Sequence, residues 1–266
     1  MMSVPDIDLI LKTAIHAAQE AGKVVYSGFS ELQTIMDKGR HDVVTSTDLA
    51  SEKIILDILK SAFHQHSVLS EEQGMADRHS DYCWIIDPLD GTSNFVTGNP
   101  YFTVSVGLKY KDKMICGVVF NPVTGELYHA SLNQGAFLNN QRIQTSARSQ
   151  PADSFIAVAW AAEEEKISEG IKMLASLSRQ CRRTVVNFAP ALDLCNIARG
   201  RLDGLIDNGS TPEDHAAASL ILSEAGGKCE NLYRPLWNVM KTGIVASNGT
   251  VTPAFIKSLF VNDLVS

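Results

Sequence analysis

Apolar residues recur first with helical and then with strand spacing along the chain. From about Asp6 to Phe29, Leu9, Ile10, Ala14, Ala17, Ala18 and Ala21 share one face of a predicted helix. A loop with Lys38-Gly39-Arg40 leads to a second helix, marked by Ile54, Ile55, Ile58 and Leu59. Val68-Leu69 and Cys83-Trp84-Ile85-Ile86 are short apolar runs, the second with the continuous character of a strand buried on both faces. From about Phe102 to Ser146, alternating runs such as Thr103 to Val106 and Ile115 to Val119 predict an antiparallel sheet, with a turn at Asn121-Pro122-Val123-Thr124-Gly125. After Pro151 strands and helices alternate: Phe155 to Ala159, Ile167 to Ser178, Arg182 to Asn187, Leu192 to Arg199, Leu202 to Ile206 and Pro212 to Ala225. The pattern divides the chain into an α+β half over residues 1–150 and a smaller α/β half over 151–266.

The strand at Trp84 stops in Asp87-Pro88-Leu89-Asp90-Gly91-Thr92. Pro88 lacks an N–H, so the ladder is expected to end there, and Leu89-Asp90-Gly91 has the composition of a tight turn that folds Asp90 back towards Asp87. Two carboxylates held that close repel unless a cation lies between them, and their hard oxygens suit Mg²⁺ or Mn²⁺. Gly91 allows close backbone approach, and Thr92 stands where a helix could begin, with free N–H groups that favour an anion. The same residues also suit a plain acidic turn after a core strand.

Further acids occupy equivalent places. Glu71-Glu72 follows Val68-Leu69, Asp48 precedes the second helix, and Thr211-Pro212-Glu213-Asp214 reads as a capping box with proline at the first helical position. Each also has a plain structural reading, as a solvated loop or a helix cap. Together they cluster at strand ends and helix starts, the edge at which open α/β sheets bind ligands.

These residues resemble the inositol monophosphatase family of Mg²⁺-dependent, lithium-sensitive phosphatases over nearly the whole chain. Glu71-Glu72 matches its paired-glutamate motif, and Trp84 to Phe95 its WxxDPxDGTxNF signature. Gly135 to Asn139, Gly200 to Gly204, and Asp214 to Ala217 followed by Glu224 to Gly227 match its GAFLN, GRxD and WDxAA…EAGG elements.

The resemblance implies a layered αβαβα sandwich, which the periodicities alone do not supply, with Asp214 donated by the second half. It implies that Glu71, Asp87 and the Leu89 carbonyl hold a first Mg²⁺, whose hydroxide is the nucleophile. Asp87, Asp90 and Asp214 hold a second, and a third, looser ion lies near Glu71. Asp48 and Thr92 would orient or deprotonate the attacking water, while the Gly91 and Thr92 N–H groups, with Asp90, receive the phosphate. Lys38 is a candidate for the family's upstream lysine, one residue out of the expected spacing, and Glu72 is a second candidate.

The departures fall on the substrate side. Phe188-Ala189-Pro190-Ala191 replaces a GSAA-like run, Glu213 replaces a tryptophan, and Asp207 stands where an acid contacts substrate hydroxyls in inositol-hydrolysing members, with one methylene less reach. The implied activity is hydrolysis of inositol monophosphate or a related sugar or polyol phosphate. The alternatives are fructose bisphosphate, nucleotide 3′-phosphate or histidinol phosphate hydrolysis and, in another class, a binding role in transcription complexes. A homodimer is expected from the likeness alone.

Composition is compatible with this reading. The 266 residues are 45% hydrophobic, enough for a large core, and the net charge of -7 argues against a nucleic-acid surface. Five widely spaced cysteines suggest a reducing compartment rather than a disulfide framework. No signal-peptide block opens the chain and no apolar run approaches membrane-spanning length, so a soluble, cytoplasmic protein with no membrane partner is expected. No GxGxxG, Walker, GxSxG or metalloprotease motif competes. His64 and His66 are read as loop residues, and His215 as a helix-surface histidine.

Overall fold

The computed structural model describes residues 6–29, 35–39, 42–234, 236–251 and 253–261. In chain order the elements are α1 (Ile7–Phe29), β1 (Ile35–Gly39), β2 (Asp42–Thr45), α2 (Ser46–Ala62), β3 (Ser67–Ser70), β4 (Gly74–Ala76), β5 (Tyr82–Asp90) and α3 (Thr92–Val96). The meander β6 (Thr103–Tyr110), β7 (Lys113–Asn121), β8 (Glu126–Ser131), β9 (Gly135–Leu138) and β10 (Gln141–Ile143) follows. The remainder is β11 (Phe155–Ala159), α4 (Glu164–Gln180), β12 (Arg183–Val185), α5 (Pro190–Ala198), β13 (Gly204–Asp207), α6 (Pro212–Glu224), β14 (Lys228–Asn231), β15 (Ile244–Ser247) and α7 (Pro253–Val261).

Apart from the two-stranded sheet β1-β2, two sheets and three helical layers alternate. The larger sheet has the order β10-β9-β8-β7-β6-β5-β3-β4 and the smaller β12-β11-β13-β15-β14. Ile10, Ala14, Ala17 and Ala21 of α1 and Ile55 and Leu59 of α2 pack with Trp84, Ile86, Val104 and Val106 on one face of the larger sheet. The opposite face, through Ile85, Val119 and Tyr128, meets Leu192 and Leu194 of α5 and Ala217 and Ile221 of α6, which in turn cover Ala157, Leu205 and Ala246 of the smaller sheet. Met173 and Leu177 of α4 and Ile256 of α7 close the outer face over Ile156, Val158 and Ile206. This is the expected αβαβα sandwich. The period-two alternation of β5 explains its central place: neighbouring isoleucines serve opposite cores, each contributing roughly 1.5–3 kcal/mol on burial.

The middle layer fits because the sheet has no side chain where α6 crosses it. A Cβ on Gly117 would lie 2.4 Å from the Ala217 carbonyl oxygen. Two family motifs resolve into framework contacts. The Glu224 carboxylate accepts the N–H groups of Asn133 and Gly135, each at 2.7 Å, fastening α6 to the β8–β9 turn. Fully buried Asp203 accepts the Phe155 N–H and pairs with Arg148, each at 2.8 Å.

Several expectations need correction. Lys38-Gly39 belongs to a β-hairpin rather than a loop, because β1 pairs with β2; the side chain of Lys38 and all of Arg40 lie outside the described residues. Leu9 is 53% exposed, while Val25 takes a place on the buried face of α1. The strand predicted from Arg182 to Asn187 is confined to Arg183–Val185. His64 and His66 lie in the loop between α2 and β3 as expected, with His66 buried there and stacked on Phe63 and Tyr82. The five cysteines carry free thiols. Among the described residues no helix is long and apolar enough to cross a membrane.

Candidate active site

Parallel pairing of β3 and β5 opens their carboxyl ends on one edge. Glu71 extends that pairing by one bond, its N–H donating to the Ile86 carbonyl at 3.2 Å. Beyond Asp87 the strand does not stop as Pro88 suggested. It bulges by one residue and resumes, so that Asp87 faces Ser105 and Asp90 faces Thr103. The bulge absorbs the missing proline donor, and Ser51 of α2 holds the Pro88 carbonyl at 2.8 Å. It brings both aspartates to the same cleft, the convergence expected from a turn and reached by another local device.

Gly91 then turns the chain with φ +90°, and a Cβ there would sit 3.0 Å from the Tyr101 carbonyl oxygen, so a larger residue is disfavoured by both strain and crowding. Thr92 opens α3, a helix of only five residues. Its hydroxyl lies 3.2 Å from Asp48 Oδ1 and 3.0 Å from the Leu89 carbonyl oxygen, within donating distance of both.

Asp48 and Asp214 are placed by the same device in the two halves of the chain. Each is the third residue of its helix, with a threonine cap whose N–H donates to the aspartate: Thr45 at 2.9 Å and Thr211 at 2.6 Å. The capping and site readings are therefore compatible at both positions. Asp87, Asp90 and Asp214 each offer a carboxylate oxygen within 4.8 Å of the others. Glu71, Leu89, Gly91 and Thr92 line the same cleft, of about 140 Å³, with Phe188 and Pro190 at its side.

Burial sets the electrostatics. It raises the Asp87 carboxyl well above its ordinary range, reinforced by the charges of Glu71, Asp90 and Asp214. Asp90 is raised by burial against the hydrogen bonds of Thr103 and Leu192, and Asp214 by burial and then by Asp90. Asp48 is also raised by burial, opposed by bonds from Thr45 and Thr92. Among the described residues no lysine or arginine lines the cleft. Converging hard oxygens, unfavourable when all are charged and without a cationic side chain among them, fit a divalent cation such as Mg²⁺.

Other candidates fall outside the cleft. Asp207 is buried, with Oδ1 accepting the N–H groups of Gly209 and Ser210 at 2.8 and 3.1 Å, and its carboxyl is raised by burial to about 6. It does not line the cleft, and neither does Glu72, whose N–H donates to Glu52 at 3.1 Å. His215 is fully buried rather than on a helix surface. Its ring nitrogens lie 2.8 Å from Ser210 Oγ and 2.9 Å from the Val239 carbonyl oxygen, and burial lowers its pKa to about 4.

Two sets of supporting residues escaped the sequence reading. Buried Glu52 accepts from Ser70 Oγ and from the Glu72 and Gln73 N–H groups, holding the loop that carries Glu71. Its position four residues after Asp48, on the same side of α2, was the available signal. Behind Asp90, Asp193 Oδ1 accepts from Tyr101 at 2.6 Å and Asn187 at 2.7 Å, a long-range cluster with no local sequence signature.

The family profile described as "Inositol monophosphatase family" matches residues 6–262. The chain is 34% identical over 257 residues to a Vibrio cholerae protein named Nus factor SuhB, covering 95% of this chain and 96% of that one. It is 35% identical over 223 residues to the Pasteurella multocida protein of the same name, covering 82% and 83%. Among solved structures, an inositol monophosphatase from Anabaena superposes with a TM-score of 0.86 at 30% identity, covering 96% of both chains. Extragenic suppressor protein suhB from Bartonella henselae superposes with a TM-score of 0.88 at 29% identity, covering 95% and 98%. The chain belongs to the inositol monophosphatase family.

Proposed function

We propose that this protein is a Mg²⁺-dependent phosphomonoesterase acting on inositol monophosphate or a related sugar or polyol phosphate. The observation that carries the reading is the convergence of Asp87, Asp90 and Asp214 within 4.8 Å, in a cleft lined by no lysine or arginine among the described residues. Glu71, Asp87 and the Leu89 carbonyl would hold one cation and Asp87, Asp90 and Asp214 a second, with Mn²⁺ an alternative and a third ion near Glu71. Bound there, such ions supply a water of lowered pKa and electrostatic stabilisation of the leaving oxygen.

The chain's own groups complete the proposal. Thr92 takes the proton of the attacking water as its own hydroxyl proton passes to Asp48, whose burial makes it a stronger base than an exposed aspartate. The N–H groups of Gly91 and Thr92 receive phosphate oxygens. The water oxygen bonds to phosphorus as the ester P–O bond breaks, in line and without a covalent enzyme intermediate, and the leaving oxygen takes a proton from solvent water and departs as the alcohol. The test is phosphate release from inositol, fructose, glycerol, histidinol and 3′-nucleotide phosphates in Mg²⁺ or EDTA, beside Asp90→Asn. Metal-dependent turnover favouring inositol phosphate supports the reading; no turnover of any ester removes it.

The Nus factor name of the relatives favours a second reading, a binding role in a transcription complex, and stands against the expectation that nucleic acid has no part. Capture of transcription partners by the inactive Asp90→Asn protein would support a role separate from catalysis. The homodimer is part of the proposal and is checked by sedimentation.

A further inference from the structure

We propose that Phe188 and Trp160 form a preset aromatic wall at the mouth of the acid cleft, selecting phosphate monoesters whose leaving group carries a planar ring. The inference rests on the metal-dependent phosphatase reading and replaces its polyol leaving group with a planar one.

The cleft of about 140 Å³ falls short of the few hundred Å³ that enclose a typical small ligand. Its floor therefore receives the phosphate, and the leaving group lies against the rim. Phe188 is at that rim and 40% exposed. Its φ of +49° is costly for a bulky side chain, and such strain persists only where the surroundings over-determine it. They do so here. Asn94 Nδ2 donates to the Asn187 carbonyl at 2.7 Å, Asn187 Nδ2 donates to Asp193 at 2.7 Å, and buried Ala189 caps α5, which Pro190 opens.

Trp160 backs the ring. The two aromatic centroids are 5.1 Å apart at 88°, an edge-to-face contact. Trp160 is itself seated on α4 where Gly170 leaves room, since a Cβ there would come within 2.6 Å of its ring. Meanwhile Asp207, the acid expected to meet substrate hydroxyls, is turned into its own loop. The rim thus offers a fixed ring face where recognition of a polyol would need polar groups. A planar leaving group can stack there without ordering the protein further.

The test compares binding of phenylphosphonate and methylphosphonate by calorimetry in Mg²⁺, using the full chain and Phe188→Gly. Glycine suits the positive φ, so this variant keeps the fold. The wild type should favour the phenyl compound about fivefold or more, the scale of one aromatic contact, with the preference collapsing in Phe188→Gly and surviving in Phe188→Tyr. The kcat/KM ratio of phenyl phosphate to glycerol 1-phosphate should fall in parallel. A phosphonate preference that ignores position 188, or no binding of either phosphonate, overturns the wall. Hydrolysis with an unresponsive ratio rejects the wall and keeps the phosphatase; a responsive phosphonate ratio without hydrolysis does the reverse.

Discussion

The floor of the cleft and the polar patch behind it are both built on aspartates whose carboxyl pKa values burial raises, yet their surroundings differ in kind. Asp87, Asp90 and Asp214 face one another across 4.8 Å or less, and their charges reinforce the cost of burial. Asp193 is instead held by the Tyr101 hydroxyl and the Asn187 amide, with Asn196 also donating to Tyr101 at 2.9 Å. Burial alone therefore does not mark a metal site. The distinguishing observation is convergence of acids on a cleft with no cationic side chain among the described residues that line it.

Removing one floor carboxylate gives the sharpest contrast. Asp90→Asn and Asp214→Asn are each expected to lower phosphate release at least ~10²-fold, the scale of losing electrostatic stabilisation of the transition state. In EDTA the same variants should melt at higher temperature, because fewer charges repel within the floor. Ordinary turnover in either variant removes that residue from the proposed site. Unchanged melting in EDTA would instead mean that the acids are already protonated at the working pH.

Next in size is the support beneath Glu71. Glu52→Ala leaves Ser70 Oγ and the Glu72 and Gln73 N–H groups without this acceptor, at a cost of about 1–3 kcal/mol where they stay buried. The Mg²⁺ concentration for half-maximal activity should rise roughly tenfold, the lower end for losing an outer partner of a metal ligand. Glu52→Gln retains an acceptor oxygen and should recover most of the loss. An unchanged Mg²⁺ dependence in both would separate Glu52 from the floor and leave it a fold residue only. Gly91→Ala is expected to cost about 1–3 kcal/mol through strain at φ +90°, read as the drop in denaturation midpoint.

The same contrast explains what the sequence could disclose. The proposed floor acids were legible because each sits at an abrupt change of local pattern, an apolar strand ending in acids or a threonine cap followed by an acid. Such signals depend on neighbours in sequence. The continuation of β5 past Pro88 was missed because proline marks a strand end as readily as a bulge, and only pairing with β6 shows that the register is restored. Asp207 carried a family expectation of substrate contact, but its own turn takes up Oδ1. His215 looked like a surface residue because its partners Ser210 and Val239 are in separate segments. The edge strand β14, Lys-Cys-Glu-Asn, went unread because it is polar and lacks clean alternation.

The smallest expected effect separates floor from patch by pH. Burial raises the Asp193 carboxyl to about 7, against the hydrogen bonds from Tyr101 and Asn187 that oppose the rise. An aspartate whose folded pKa exceeds its unfolded value of about 4 binds its proton more tightly in the native state. Its contribution is therefore full below about pH 4, declines as pH rises, and is lost above about 7. In EDTA the floor acids add a decline of the same sign. Saturating Mg²⁺ should suppress the floor's share, since a bound cation favours the ionised carboxylates, while leaving the decline due to Asp193. Asp193→Asn keeps an oxygen for Tyr101 and Asn187, so in Mg²⁺ its melting temperature should fall less between pH 5 and 8 than that of the wild type. An equal fall in both proteins would place the titrating group elsewhere, with Asp207, raised to about 6, the next to test.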